Sequence, residues 1–153
     1  MRKFNILIFT SGRSDFDLLL PIIKRFKTNK IINLTLLVTG SHLSAKHGLT
    51  IDYIKTKNIE NIKKIDIKCD DVNEKNFSYI FSNAQVLYAK YFSTLKNKID
   101  ISVILGDRYE ALAFAAVCFF SNTPIAHIHG GEITMGAKDD TIRHAITKFS
   151  NLH

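Results

Sequence analysis

Only two cysteines, two prolines and seven glycines occur among the 153 residues. The shortage of cysteine excludes a disulfide-stapled scaffold, and Cys69 and Cys118 show neither a CxxC pair nor a Cys/His spacing suited to structural zinc. Both are expected to be reduced thiols in a cytoplasmic protein. No Pro/Gly-rich linker, internal repeat or low-complexity tract divides the chain, so one domain is expected rather than two. The longest apolar stretch, Ala111 to Phe120, falls well short of the ~20 residues a bilayer span requires. After the basic start Met1-Arg2-Lys3 the apolar run is only Ile6 to Phe9, with no small-residue cleavage site behind it, which argues against a signal peptide. A GxGxxG fingerprint is also missing, and with it the support for a nicotinamide cofactor.

What is present suits an ordinary globular domain: 46% hydrophobic residues in a chain of this length supply a core without metal or disulfide. The balance of 21 basic against 14 acidic residues gives a net charge of +7. The lysines are scattered rather than gathered into one segment, so a phosphorylated small molecule is as good an anionic partner as nucleic acid. Neither nucleic acid nor a membrane is expected as a partner.

Short β-branched and aliphatic runs alternate with helical patterns. The runs are Phe4 to Phe9, Ile32 to Val38, Ile62 to Ile67, Ile99 to Leu105 and Pro124 to Ile128. Between them, Phe16, Leu19, Leu20, Ile23 and Phe26 form one apolar stripe at helical spacing, and Phe77 to Phe92 carry a longer one. Tyr109 to Phe120 and Asp139 to Leu152 read as two further helices. Pro21 falls inside the first helix pattern, where a kink is expected. Strands buried on both faces in βαβα order predict an α/β fold, a Rossmann-like doubly wound parallel sheet. Ligands then bind at the carboxyl ends of the strands. All seven glycines, Gly12, Gly40, Gly48, Gly106, Gly130, Gly131 and Gly136, lie in those ligand-side loops, together with His42, His47, His127 and His129.

In the first loop, Thr10-Ser11-Gly12-Arg13-Ser14-Asp15, a glycine and a helix start admit an anion and Arg13 can hold two phosphate oxygens. The plainer reading is a helix cap at Ser14 or Asp15 beside a solvated arginine. His42 offers an imidazole at the end of the second strand, as a ligand contact or as a structural group. Asp107 stands at the rim of the fourth strand, where it can act as a base, orient a hydroxyl, pair with Arg108 or cap the next helix. Glu110 reads as a first-turn helix acid.

The densest cluster is His127-Ile128-His129-Gly130-Gly131-Glu132, then Asp139-Asp140 and Arg143-His144. Strand alternation places His127 and His129 on one face. A metal site is disfavoured, because no HExxH or HxxEH pair occurs and Arg143 and Lys138 would repel a cation. Acids close to one another and to histidine suit proton transfer better. One of Asp139 and Asp140 serves equally well as a helix cap.

The runs Leu105-Gly106-Asp107-Arg108-Tyr109-Glu110, Ile125-Ala126-His127-Ile128-His129-Gly130-Gly131-Glu132 and Asp139-Asp140-Thr141-Ile142-Arg143-His144-Ala145-Ile146-Thr147-Lys148 resemble the hydrolysing UDP-N-acetylglucosamine 2-epimerases. The likeness is greatest to their sialic- and legionaminic-acid branch. With Thr39-Gly40-Ser41-His42-Leu43-Ser44 and the Arg13 loop it covers essentially the whole chain. The resemblance implies a GT-B-type fold of two Rossmann-like halves, of which residues 1–153 supply the N-terminal one and the C-terminal UDP-binding domain is missing. It also implies a UDP-sugar substrate, no cofactor, no metal, and a homo-oligomer when complete. In that family a base removes the C2 proton as UDP leaves C1, and water adds to the resulting 2-acetamidoglucal to release the C2-inverted sugar.

By the same resemblance Asp107, His129, Glu132, Asp139 and Asp140 match positions used in acid–base work. Arg13, Asp15, His42 and Arg143 match the substrate-binding side. Many relatives have Glu where this chain has His129, which leaves His129 and Glu132 as alternative bases. A half-cleft holds only part of a transition state, so the isolated chain is expected to be nearly inactive. The alternatives are half of a GT-B glycosyltransferase and a non-catalytic remnant or interaction module of the same fold.

Overall fold

The computed structural model describes residues 2–133 and 138–153. Gly136, one of the loop glycines singled out above, lies outside the described residues. The elements run β1 (Phe4–Thr10), α1 (Arg13–Lys27), β2 (Ile32–Val38), α2 (Ile51–Lys55), β3 (Ile62–Lys64), α3 (Phe77–Ser93), β4 (Ile101–Leu105), α4 (Tyr109–Phe120), β5 (Ile125–Ile128) and α5 (Lys138–Phe149). A 3-10 turn spans Gly40–Leu43. The five strands form one sheet in the order β3-β2-β1-β4-β5, and every pair is parallel. This is the doubly wound α/β arrangement that the alternating pattern predicts.

The strands are apolar at consecutive positions because each face of the sheet is covered. Leu7, Phe9, Leu37 and Ile104 point to one side and pack with Ala84 and Tyr88 of α3, Phe114 and Cys118 of α4 and Ile146 of α5. Ile6, Ile8, Leu36, Val38 and Val103 point to the other, against Phe16, Leu19 and Ile23 of α1 and Ile51 and Ile54 of α2. Period-two alternation thus feeds two cores from one run of residues. Both cysteines are free and buried.

Several boundaries differ from the sequence expectation. β3 is three residues long, although Ile65 and Ile67 beyond it are still buried in the core. α2 is missed by periodicity, since five residues do not complete two turns. α1 starts at Arg13 with Gly12 as its N-cap, two or three residues earlier than caps at Ser14 or Asp15 would place it. It runs through Pro21, which lies on the exposed side, where water can serve the carbonyl that loses its partner. α5 stops at Phe149 rather than Leu152. Leu152 instead forms a parallel bridge to Ala126, and the His127 N–H donates to the Leu152 carbonyl at 2.9 Å.

Candidate active site at the switch point of the sheet

The strand order reverses between β1 and β4, which opens a crevice at the carboxyl ends of these strands. Loops from β1, β2, β4 and β5 border it. The first is rigid because Asp15 turns its carboxylate inward. Its oxygens accept from the N–H groups of Ser11 and Gly12, each at 2.8 Å, and of Phe16 at 2.9 Å. The Thr10 hydroxyl donates to it at 3.2 Å. Asp15 therefore shapes the loop from beneath, while Arg13, two residues earlier, faces solvent. The Arg13 guanidinium pairs with Asp17 at 3.6 Å and lies 5.2 Å from the centre of the Tyr53 ring.

His42 sits under the same loop with no exposed surface. Its Nε2 is 2.9 Å from Thr10 Oγ1 and its Nδ1 is 2.7 Å from Thr50 Oγ1. Burial lowers the imidazole pKa, with Asp15 opposing and Arg108 reinforcing the shift. His42 thus joins the β1 and β2 loops as a neutral hydrogen-bonding group. Gly40, just before it, has a left-handed φ of 57°, and a Cβ there would stand 2.8 Å from the Ser11 carbonyl oxygen. Glycine alone allows this close approach.

On the β4 and β5 side, one guanidinium gathers two carboxylates and a main-chain carbonyl. Arg143 of α5 is hydrogen-bonded to Asp107, its Nη1 donates to the Glu132 carbonyl at 2.9 Å, and the same atom is 3.9 Å from Asp140. The adjacent Asp107 carboxylate raises the Arg143 pKa further. Asp140 also meets His144 Nε2 at 3.4 Å. Glu132 Oε1 lies 2.6 Å from His129 Nδ1. Asp107 and Asp140 are therefore drawn to the Arg143 guanidinium, which meets the segment carrying the His129–Glu132 pair at the Glu132 main-chain carbonyl, so three separate segments are linked. Asp139 faces an adjoining cavity of about 780 Å³, which Asp107, Phe77, Tyr109 and Ile142 also line.

His127 and His129 do not share a surface. Strand alternation ends at Ile128, and His129 takes a left-handed φ of 61°, an uncommon conformation for a non-glycine residue. His127 is buried, with Nε2 2.7 Å from the Gly106 carbonyl and Nδ1 3.0 Å from Thr147 Oγ1, and burial lowers its pKa. It ties the β4 loop to α5. His129 is turned outward, beside Glu132. Among the described residues no group of three His, Cys, Asp or Glu side chains is arranged to hold a metal ion.

Sequence reasoning missed the depth of Glu110. It is 1% exposed and pairs with Arg108 at 2.9 Å, so it is more than a solvated first-turn acid. The buried positions Ala111 and Ala113 to Cys118 that follow it in α4 are the available signal, because they make α4 a core helix whose first turn is covered as well.

Residues 24–153 match the family model described as UDP-N-acetylglucosamine 2-epimerase. All 153 residues align at 39% identity with the "GDP/UDP-N,N'-diacetylbacillosamine 2-epimerase (hydrolyzing)" of Campylobacter jejuni, spanning 39% of that protein. A Legionella pneumophila "UDP-N,N'-diacetylbacillosamine 2-epimerase (hydrolyzing)" is 31% identical over 97% of this chain and 38% of its own length. The chain thus spans about two fifths of the relatives it matches. The fold agrees with a crystal structure of UDP-N-acetylglucosamine 2-epimerase at a TM-score of 0.81 and 20% identity, covering all of this chain and 40% of that one. The Neisseria meningitidis enzyme bound to UDP-GlcNAc gives a TM-score of 0.79 at 17% identity, over 98% of this chain and 40% of that one. This is the fold of one Rossmann-like half of a GT-B-type protein, and by the family match the chain belongs to the UDP-N-acetylglucosamine 2-epimerase family.

Proposed function

We propose that this chain is the N-terminal half of a two-domain hydrolysing 2-epimerase that acts on a UDP-linked 2-acetamido sugar, either UDP-N-acetylglucosamine or a diacetamido analogue. The observation that carries this reading is the convergence at the rim of β4 and β5, within a chain of this family, of Asp107 and Asp140 on Arg143 and of the His129–Glu132 pair on the segment whose main-chain carbonyl Arg143 holds.

In the proposed reaction a base takes the proton from C2, the C–H electrons form the C1=C2 bond, and the C1–O bond to UDP breaks. Water then adds, oxygen to C1 and hydrogen to C2 from the opposite face, and the free sugar leaves inverted at C2. The His129–Glu132 pair is the proposed base. Both side chains are substantially exposed at the crevice, whereas Asp107 and Asp140 are less exposed and engaged by Arg143. Asp107 and Asp140 then orient the reacting sugar and the water, and Asp139 faces the cavity as a further acid–base group. Arg13 contacts the diphosphate, while Asp15 and His42 keep that loop in shape from beneath. The second wall of the cleft belongs to a C-terminal UDP-binding domain, so the 153-residue chain has little or no activity alone.

The proposed enzyme is cytoplasmic, and no helix among the described residues is long and apolar enough to cross a membrane. Exposed Tyr79 and Val86 on α3 support a homo-oligomer of the complete protein.

The test is to join the chain to the C-terminal portion of the Campylobacter relative and supply UDP-N-acetylglucosamine or its diacetamido analogue in deuterated water. UDP and a C2-inverted free sugar carrying deuterium at C2 are expected. Asp107→Asn in that fusion should lower turnover by about 10²-fold or more with folding intact. Product without solvent deuterium refutes the elimination route, and release that requires an acceptor assigns the chain to the glycosyltransferases.

A further inference from the structure

The buried imidazole of His127 takes no part in the proposed chemistry, yet it stands between two loops that do. Its Nε2 is 2.7 Å from the Gly106 carbonyl oxygen, next to Asp107, and its Nδ1 is 3.0 Å from Thr147 Oγ1 on α5. The Thr147 hydroxyl in turn donates to the Gly130 carbonyl at 3.1 Å, next to His129. That carbonyl has no other donor among the described residues. Both ends of this chain lie where the backbone is left-handed, with φ 79° at Gly106 and 61° at His129. A non-glycine residue keeps such a conformation only where its surroundings fix it.

Each of the three contacts needs one hydrogen. The two carbonyls only accept, the threonine hydroxyl has one proton, and a neutral imidazole has one N–H. Neutral His127 therefore brings two hydrogens to three contacts. Its N–H goes to Nε2, where the Gly106 carbonyl holds it in the shortest of the three, and Nδ1 then competes with the Gly130 carbonyl for the Thr147 proton. A protonated His127 satisfies all three, because Nδ1–H donates to Thr147 and frees its hydroxyl for Gly130.

We infer that Thr147 is a positioning residue for the reaction: its one hydroxyl proton joins His127 to the Gly130 carbonyl and sets the His129–Glu132 pair against the Asp107 loop, and the chain is complete when His127 is protonated. The inference rests on the reading of the His129–Glu132 pair as the base. Burial opposes proton uptake by His127, as do the nearby charges of His153 and Arg143, while the Gly106 carbonyl and Asp107 favour it. The balance leaves the ring neutral at pH 7. As pH falls through the His127 pKa, the Gly130 carbonyl gains a donor it no longer shares.

The test follows the ¹⁵N-labelled 153-residue chain from pH 8 to 5 through its histidine ring nitrogens and amides, in a His129→Gln background so that the neighbouring exposed ring does not contribute. The Gly131 amide shares a peptide unit with the Gly130 carbonyl and is expected to shift with the midpoint of the His127 ring. Thr147→Val keeps the shape and removes the hydroxyl. It should move that midpoint down by about one pH unit or more, the effect of losing a hydrogen bond to a charged group, and uncouple Gly131 from the ring. Thr147→Ser should restore both. In the fusion with the Campylobacter C-terminal portion, with His129 intact, Thr147→Val should lower kcat about tenfold or more and leave KM within about twofold, because the base is displaced while the Arg13 loop is untouched. A Gly131 amide that does not follow the His127 ring while Thr147 is intact overturns the inference, and that measurement decides the matter if Thr147→Val fails to fold. A Thr147→Val fusion that keeps the parent kcat refutes the positioning role and leaves the base assignment standing. A parent fusion that releases no sugar instead overturns the reading of the site, and the inference falls with it.

Discussion

Replacing Asp15 by Asn tests whether the crevice is built on a buried carboxylate. The side chain keeps its shape but exchanges one oxygen for an NH₂ group. In the orientation that preserves the bonds to Gly12 and Phe16, the amide nitrogen faces the Ser11 N–H, 2.8 Å from the oxygen it replaces. Two donors then meet, and a buried N–H is left without an acceptor, a loss of about 1–3 kcal/mol. The remaining bonds lose the assistance of the negative charge. Together the cost is about 2–4 kcal/mol. For a chain of this length each kcal/mol moves the melting point by about 2–4 °C, so thermal unfolding should shift down by roughly 4–16 °C. Asp17→Asn is the control, since its carboxylate is 42% exposed and its one ion pair among the described residues is to Arg13 at 3.6 Å, and it should stay within about 0.5 kcal/mol of the parent. Calorimetric melts of the three proteins, with the amide signals of Ser11 and Gly12 as local reporters, make the comparison. An Asp15→Asn protein that melts within about 2 °C of the parent would refute the claim that this carboxylate organises the loop.

Two further outcomes follow from buried groups. Burial lowers the pKa of His42 and His127 in the folded chain, so the unfolded chain binds more protons as pH falls. Their contribution to stability is therefore complete above about pH 6.5 and is lost as pH falls through the folded values, at up to about 1.4 kcal/mol per pH unit for each group. Urea unfolding between pH 8 and 5 should show a shallower acid loss in the His42→Gln/His127→Gln double variant, and an unchanged slope would refute this assignment. Gly130→Ala would put a Cβ 2.7 Å from both His127 Nδ1 and Thr147 Oγ1. Its urea midpoint should report a loss of about 1–3 kcal/mol, while a neutral result would mean that the contact between β5 and α5 yields more freely than its packing implies.

The fold was legible because the strands carry apolar residues on consecutive positions while α1 and α3 carry an apolar stripe and α4 is apolar nearly throughout, and burial on both faces of a parallel sheet demands that pattern. Tyr109–Phe120 is read to the residue. Failures came where local signals are weak or are outweighed by pairing. α2 is too short for a stripe, β3 has few partners to hold it, and Leu152 leaves the helical pattern because the edge of β5 offers backbone hydrogen bonds.

The loops that border the site were likewise marked by where glycine, histidine and acid accumulate along the chain. The partnerships of those side chains were not. Asp15 turning under its own loop, His42 buried as a neutral tie, His129 thrown outward by a left-handed backbone and Glu110 paired in the core all depend on contacts between loops far apart in the chain. Local propensity and periodicity decide which segments become strands and helices, and hence which loops lie at one rim of the sheet. Which acid is occupied and which histidine is buried is a matter of distances across β1, β4 and β5, which only the folded sheet sets.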